Sequence, residues 1–373
     1  MCVILIYMSE TNIKKQIIRY FIYLIFVLGL TSLAFYLTVG SRLNDIWETL
    51  KTANVWYIVA IFAVVIAIIL VRSTTIFCYT RIFEKKYLFH RAIAIDQIGS
   101  LYRMVTPAGL GSHVMETYVY HKQGVKVSDA LSVLAMYSIV YQIALILYGL
   151  ITIIVKHPLI TEIGYISISF SSGNTNISLW LLVSIGFAFN VLSIAFIYFI
   201  SYWNGFYRFV RGPILRLLKK LHLLKNIEDK QEKLDGAIVN FRSNLKTLSK
   251  HIPTLLISVV CFVIYITISY SVPYLCGLSL GNTSEYASYF DSVLLSNLHQ
   301  MVTCIIPIPG SSLVSELFFY QLFYPTYGPK FYDTENIARA SLLLWRSLMF
   351  IIPLFIACLY TLIYRPRKEK SSL

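Results

Sequence analysis

Charge is scarce in this sequence. Only 13% of its 373 residues are Asp, Glu, Lys or Arg, while 57% are apolar, about half the charged share of an ordinary soluble domain. That shortage excludes a soluble enzyme or binding module, and the apolar excess excludes intrinsic disorder. Proline is sparse too, at 11 residues, which leaves no room for a Pro-rich fibrous repeat. The six cysteines, Cys2, Cys78, Cys261, Cys276, Cys304 and Cys358, form no CxxC pair and lie mostly inside apolar runs. They read as small apolar filler rather than as a disulfide frame or a zinc site. The seven histidines lack HExxH spacing, and neither a P-loop nor a dinucleotide fingerprint occurs. No metal and no cofactor is called for.

What remains is a chain of apolar runs of about 20 residues, the length that crosses about 30 Å of hydrocarbon, separated by short charged clusters. The net charge of +14 would suggest nucleic acid in a soluble protein. Here the Lys and Arg fall where the positive-inside rule wants them, so they report topology and anionic inner-leaflet lipids, not nucleic acid. The fold class is therefore an all-α polytopic membrane protein.

The charge bias orders the spans. Lys14, Lys15 and Arg19 precede Tyr20 to Val39, which is too long and lacks the small-residue cleavage site of a signal peptide, and so reads as a first crossing outward. Met8 would serve as a start as well as Met1. Val55 to about Tyr79 returns to a basic segment with Arg81, Lys85, Lys86 and Arg91. From Ala92 to Tyr120 the chain is apolar but broken by Pro107, Gly109 and Gly111, with His121, Lys122 and Lys126 beyond. Both flanks are basic, so a re-entrant hairpin opening to the cytoplasm is expected over 92–120; proline removes a donor and glycine permits the reversal.

Ala130 to Val155 crosses outward and Leu179 to Tyr202 returns. A basic linker follows over 203–251, where Leu234, Ile238, Phe241, Leu245 and Leu248 form one apolar stripe; interfacial amphipathic helices on the inner leaflet are expected. Ile252 to Cys276 crosses outward. Ser292 to Phe323 is interrupted by Pro307, Pro309 and Gly310 between flanks without net positive charge, which predicts a second hairpin, over 292–323, dipping from outside. Ile337 to Tyr364 ends at Arg365, Arg367, Lys368 and Lys370. Six crossings and two opposed hairpins result, with both termini cytoplasmic.

The two broken segments superpose with a shift of two hundred positions, Pro107 on Pro307, Ser112 on Ser312, Val114 on Val314, Glu116 on Glu316 and Tyr120 on Tyr320, with Gln97 meeting Asn297. Two membrane repeats are read from this, over 13–156 and 179–364, inverted because the hairpins open to opposite sides. In transporters built this way the substrate sits near the midplane between discontinuous helices.

A charged side chain at the bilayer centre costs roughly 2.5–3.5 kcal/mol on insertion scales, so intramembrane charges mark candidate sites. They are Asp96, Arg103, Glu116, Glu316 and Arg346. Arg346 lies about nine residues into the last run, roughly 14 Å deep at 1.5 Å per residue, too far to snorkel. Two readings stay open. Either Arg346 pairs with Glu316 and Arg103 with Asp96 or Glu116 to hold the hairpins, or the arginines bind a lipid phosphate while Glu116 and Glu316 receive a cationic headgroup. Arg72 is expected to be a snorkelling anchor, and His113 and His299 satisfied structural donors.

The stretch Thr106-Pro107-Ala108-Gly109-Leu110-Gly111 with Glu116, Gly124 and Ala130 resembles the first motif of the transmembrane region of the lysylphosphatidylglycerol synthase family. Pro307, Pro309, Gly310, Glu316 and Arg346 resemble the second. The likeness runs from about Ile13 to Tyr364. It implies a flippase in the bacterial inner membrane that carries lysyl- or another aminoacyl-phosphatidylglycerol to the outer leaflet and so confers resistance to cationic antimicrobial peptides. The soluble synthase domain of the full-length relatives, the multiple peptide resistance factors, is expected to be missing, which would leave aminoacyl transfer to a separate synthase. A homodimer is compatible with this reading, although no GxxxG face points to one. The alternative is an integral-membrane transferase or accessory protein on a polyprenyl or glycolipid substrate, with Glu116 or Glu316 as general base.

Overall fold

The computed structural model describes residues 43–170, 173–202, 227–324 and 330–364, with a few more between 25 and 36. The expected first crossing, Tyr20 to Val39, and the first half of the linker, 203–226, lie outside the described residues. Within them the chain is almost wholly helical, and five helices are long and apolar enough to cross a membrane: Val55–Phe83, Val127–Val155, Leu179–Ile197, Ile252–Ser279 and Glu335–Ile363. The protein is an all-α, multi-pass membrane protein.

A short amphipathic helix, α1 (Leu43–Lys51), leads into α2 (Val55–Phe83). The side chain of Asn54 caps α2 by accepting from the Trp56 N–H, which satisfies one of the orphan donors at a helix start. Next come α3 (Phe89–Val105), a 3₁₀ turn over Pro107–Gly109, and α4 (Gly111–Lys122), which packs back along α3. The long α5 (Val127–Val155), a short α6 (His157–Ile163), a two-stranded ribbon of β1 (Tyr165–Phe170) and β2 (Gly173–Ser178), and α7 (Leu179–Tyr202) complete the first part. Neither α1, α6 nor the ribbon was expected, since each is too short to leave a periodic signal.

The second part opens with α8 (Ile227–Lys250), and its apolar stripe does not lie on the inner leaflet. Leu245 and Leu248 are buried and Phe241 packs with them against the core that includes α5. The Asn244 amide donates to Asp129 at 2.7 Å, and the Ser132 hydroxyl donates to the Phe241 carbonyl. The expectation fails because α5 offers its own apolar and serine-lined flank, and an amphipathic stripe is satisfied by any apolar partner.

The span Ile252–Ser279 is two helices, α9 (Ile252–Tyr270) and α10 (Val272–Ser279), parted where Pro273 cannot donate. The opened turn is closed from outside. Ser292 Oγ donates to the Tyr270 carbonyl at 2.8 Å and accepts from the Tyr274 N–H at 3.2 Å, and Ser296 donates to the same carbonyl. Both serines lie on α11 (Tyr289–Thr303), which is followed by a 3₁₀ turn over Pro309–Ser311 and by α12 (Val314–Phe323). The last span comprises α13 (Glu335–Arg346), a π turn over Ser347–Ile351 ahead of Pro353, and α14 (Ile352–Ile363).

One order of elements therefore occurs twice: long helix, short helix, Pro-Gly break, short helix, long helix. The helical hairpin α3–α4 has its base beside the start of α5, and the base of α11–α12 is tied to the other end of α5 by an ion pair between Lys156 and Asp291. The two breaks touch between these ends. At the first base, Tyr87 donates to Gln123 at 2.7 Å and Gln123 donates to the Arg91 carbonyl and to Tyr364. Burial pushes the Tyr87 phenol far above its ordinary pKa, so it stays a donor.

Gly186 on α7 lets α11 approach closely: a Cβ there would lie 1.9 Å from the Met301 carbonyl oxygen. Gly149 on α5 faces the flexible end of the Met301 side chain instead. Gly186→Val is expected to cost about 1–3 kcal/mol through overpacking and to lower the melting temperature in detergent by several degrees. Gly149→Ala should lower it less, and equal melting of both variants and the parent would refute this contact.

Candidate functional site

The charged residues of the two hairpins separate into three groups. Each unites groups distant in sequence or fastens a break.

In the first hairpin, Arg103 near the end of α3 lies 3.1 Å from Glu116 on α4, and His113 Nδ1 lies 2.9 Å from the other carboxylate oxygen. The carboxylate is buried between them, while the Arg103 side chain keeps 37% of its surface exposed. Gly99 makes room for it, since a Cβ there would come within 2.1 Å of Glu116 Oε1. The break itself is closed by Thr106, whose hydroxyl donates to the Tyr102 carbonyl at 2.6 Å and accepts from the Gly111 N–H at 3.0 Å. Gly109 takes the left-handed φ of 65° that the reversal needs.

The second group was not foreseen. Arg72 on α2 is buried and lies 2.7 Å from Asp96 on α3, donating also to Ser100 at 2.9 Å. The expected snorkelling anchor is thus a buried ion pair. Arg72 stands eleven residues before Phe83, about 16 Å from the helix end, and the depth rule that flagged Arg346 would have flagged it too.

In the second hairpin Arg346 fastens the break. Its Nε lies 2.6 Å from Glu316 Oε1, at an angle too bent for a directed hydrogen bond, and its Nη2 donates to the Gly310 carbonyl and to Ser312, each at 2.8 Å. The guanidinium carbon sits 3.8 Å from the centre of the Phe350 ring, a cation–π contact. Gly310 lies against the same ring, where a Cβ would come within 2.4 Å of Cζ. Leu313 holds a φ of 74° and Ser311 one of 49°, strain that L-residues adopt only when their surroundings impose it. His299 on α11 is buried edge-on to Trp345, with Nε2 at 2.8 Å from the Ser315 carbonyl, and so ties α11 to α12.

Between the hairpins lies a cavity of about 340 Å³, within the usual range of ligand sites. Its walls draw on both halves of the chain: Arg72, Gln97, Ser100 and Arg103 from α2 and α3, and Ser269, Tyr270, His299 and Gln300 from α9 and α11. Val65, Ile68, Phe319 and Phe323 add apolar surface. Of the five charged residues singled out from the sequence, Arg103 lines it, Asp96 and Glu116 stand behind its arginines, and Glu316 and Arg346 form the neighbouring clamp. Ser100, Ser269 and Gln300 carried no signal in sequence, because short polar residues in apolar runs are common.

A multi-pass membrane protein with two broken helical hairpins around a polar central cavity is a defined class of architecture. Residues 17–357 match the model of the lysylphosphatidylglycerol synthase TM region, and the chain belongs to that family. A comparison with curated proteins finds no match.

Removing one member of a buried ion pair strands the other. Arg346→Ala is expected to cost about 3–5 kcal/mol and to reduce the monodisperse yield in size-exclusion chromatography sharply. The double variant Arg346→Leu with Glu316→Leu should recover much of it, and a double variant as unstable as the single one would contradict the pairing.

Proposed function

We propose that this protein moves a phospholipid between the leaflets of a bacterial inner membrane. The observation that carries this reading is the cavity between the two hairpins, walled by Arg72 and Arg103 on one side and by polar groups of α9 and α11 on the other. Guanidinium groups in a partly apolar, enclosed site suit a phosphate diester, and the apolar wall can receive the first carbons of the acyl chains.

In this reading the hairpins are re-entrant from opposite faces and form an inverted repeat, with both termini cytoplasmic. Their bases at opposite ends of α5 and their touching breaks support that arrangement. Exchange of access then needs only small movements of each hairpin against the long helices, the headgroup passing between Arg103 and the Arg346 clamp while the tails stay in lipid. Family membership makes lysylphosphatidylglycerol a natural first cargo to assay, and export of such a lipid would weaken attraction of cationic peptides. The transferase alternative needs a carboxylate facing the substrate, and neither Glu116 nor Glu316 is among the described residues lining the cavity.

The test is reconstitution into liposomes with fluorescent lipids and reduction of the outer-leaflet dye. The protein should accelerate leaflet exchange, Arg103→Ala and Glu116→Gln should each reduce it at least tenfold, and Lys51→Ala on exposed α1 should leave it unchanged. No acceleration for any headgroup would reject the proposal.

A further inference from the structure

The cavity wall has an asymmetry of sign. Arg72 and Arg103 line it, whereas Asp96, Glu116 and Glu316 are each no more than 3% exposed in their side chains and stand behind or beside the arginines. Among the described residues that line it there is no Asp or Glu. Glu116 is held by both Arg103 and His113, and Glu316 by Arg346. An ammonium entering the cavity would thus meet two guanidinium groups and no reachable carboxylate, a like-charge contact in a low-dielectric site. The opposite wall offers neutral partners instead. Ser269 Oγ and Gln300 Oε1 belong to lining residues, and neither oxygen has a hydrogen-bond partner in the protein. A buried polar atom left so is costly unless a ligand supplies the bond.

Building on the lipid-transfer reading, we infer that the cargo is a phospholipid with a net anionic head whose terminal part is uncharged and hydroxylated, such as phosphatidylglycerol, and that a lysyl head is selected against. The phosphate faces Arg72 and Arg103; hydroxyls of the head donate to Gln300 Oε1 and accept from Ser269. The apolar walls at Ile68 and Phe323 require the attached glycerolipid, so soluble glycerol phosphate is a poor substitute.

The experiment compares acyl-labelled phosphatidylglycerol and lysylphosphatidylglycerol in the same liposomes. Phosphatidylglycerol should cross at least tenfold faster, and Gln300→Glu, which places a carboxylate in the cavity without changing its shape, should shift the ratio at least tenfold toward the lysyl lipid. Equal rates, faster lysyl transfer, or an unchanged ratio in Gln300→Glu overturn the inference while leaving lipid transfer intact. If neither lipid crosses, the transfer reading fails, and binding to the purified full chain by native mass spectrometry decides the headgroup: preference for phosphatidylglycerol over both the lysyl lipid and soluble glycerol phosphate sustains it, and no preference overturns it. Ser269→Ala checks folding independently, with an expected loss of phosphatidylglycerol affinity at an unchanged melting temperature.

Discussion

A guanidinium that cannot reach water has to be met by a carboxylate, and the architecture of this protein depends on that rule at Arg346. The side chain leaves α13, crosses to the second hairpin, and satisfies at once Glu316, the Gly310 carbonyl and Ser312. A broken backbone in an apolar setting exposes carbonyls that neither helix can use, and it survives only where other groups take them. Arg346 takes them here and Thr106 does so in the first hairpin. Charge at these positions is thus the means by which an irregular backbone is kept among apolar helices, and the cavity beside it follows from the helices that the breaks cut short.

The two hairpins reach one outcome by different chemistry. Glu116 finds its cation within its own hairpin, at Arg103, because Gly99 leaves the space for the carboxylate to lie against α3. Two hundred residues later stand Thr303 and His299 in place of Arg103 and Gly99, and Glu316 reaches the next long helix for its partner. The first hairpin consequently presents an arginine to the cavity, and the second presents serine, histidine and glutamine. Similar elements arranged about one cavity give it a charged wall and a neutral one.

Much of this was legible in the sequence. Apolar run length located the five described spans to within a few residues, since a span has no alternative to about 20 apolar positions. The Pro-Gly breaks at Pro107 and Pro309 marked the hairpins, because those residues act locally and leave the same mark wherever they occur. Pairing was only half visible: Glu316 with Arg346 and Glu116 with Arg103 were among the expected combinations, but Asp96 with Arg72 was not, since which face of α2 meets α3 is a tertiary fact. The stripe on α8 misled for a similar reason, as hydrophobic periodicity says that a face is covered and not by what. The neutral cavity wall was out of reach, because Ser269 and Gln300 differ from other buried polar residues only in lacking a partner.

Ser292 is wedged into the gap that Pro273 opens between α9 and α10, giving its proton to one side of the gap and accepting one from the other. Its hydroxyl is fully committed, so the second hairpin cannot swing away without leaving two main-chain groups bare in an apolar interior. Any rocking of that hairpin must therefore carry α10 along as a single rigid piece and bend the molecule at Ser271, placing the pivot in a long span rather than in the loops at the membrane surface.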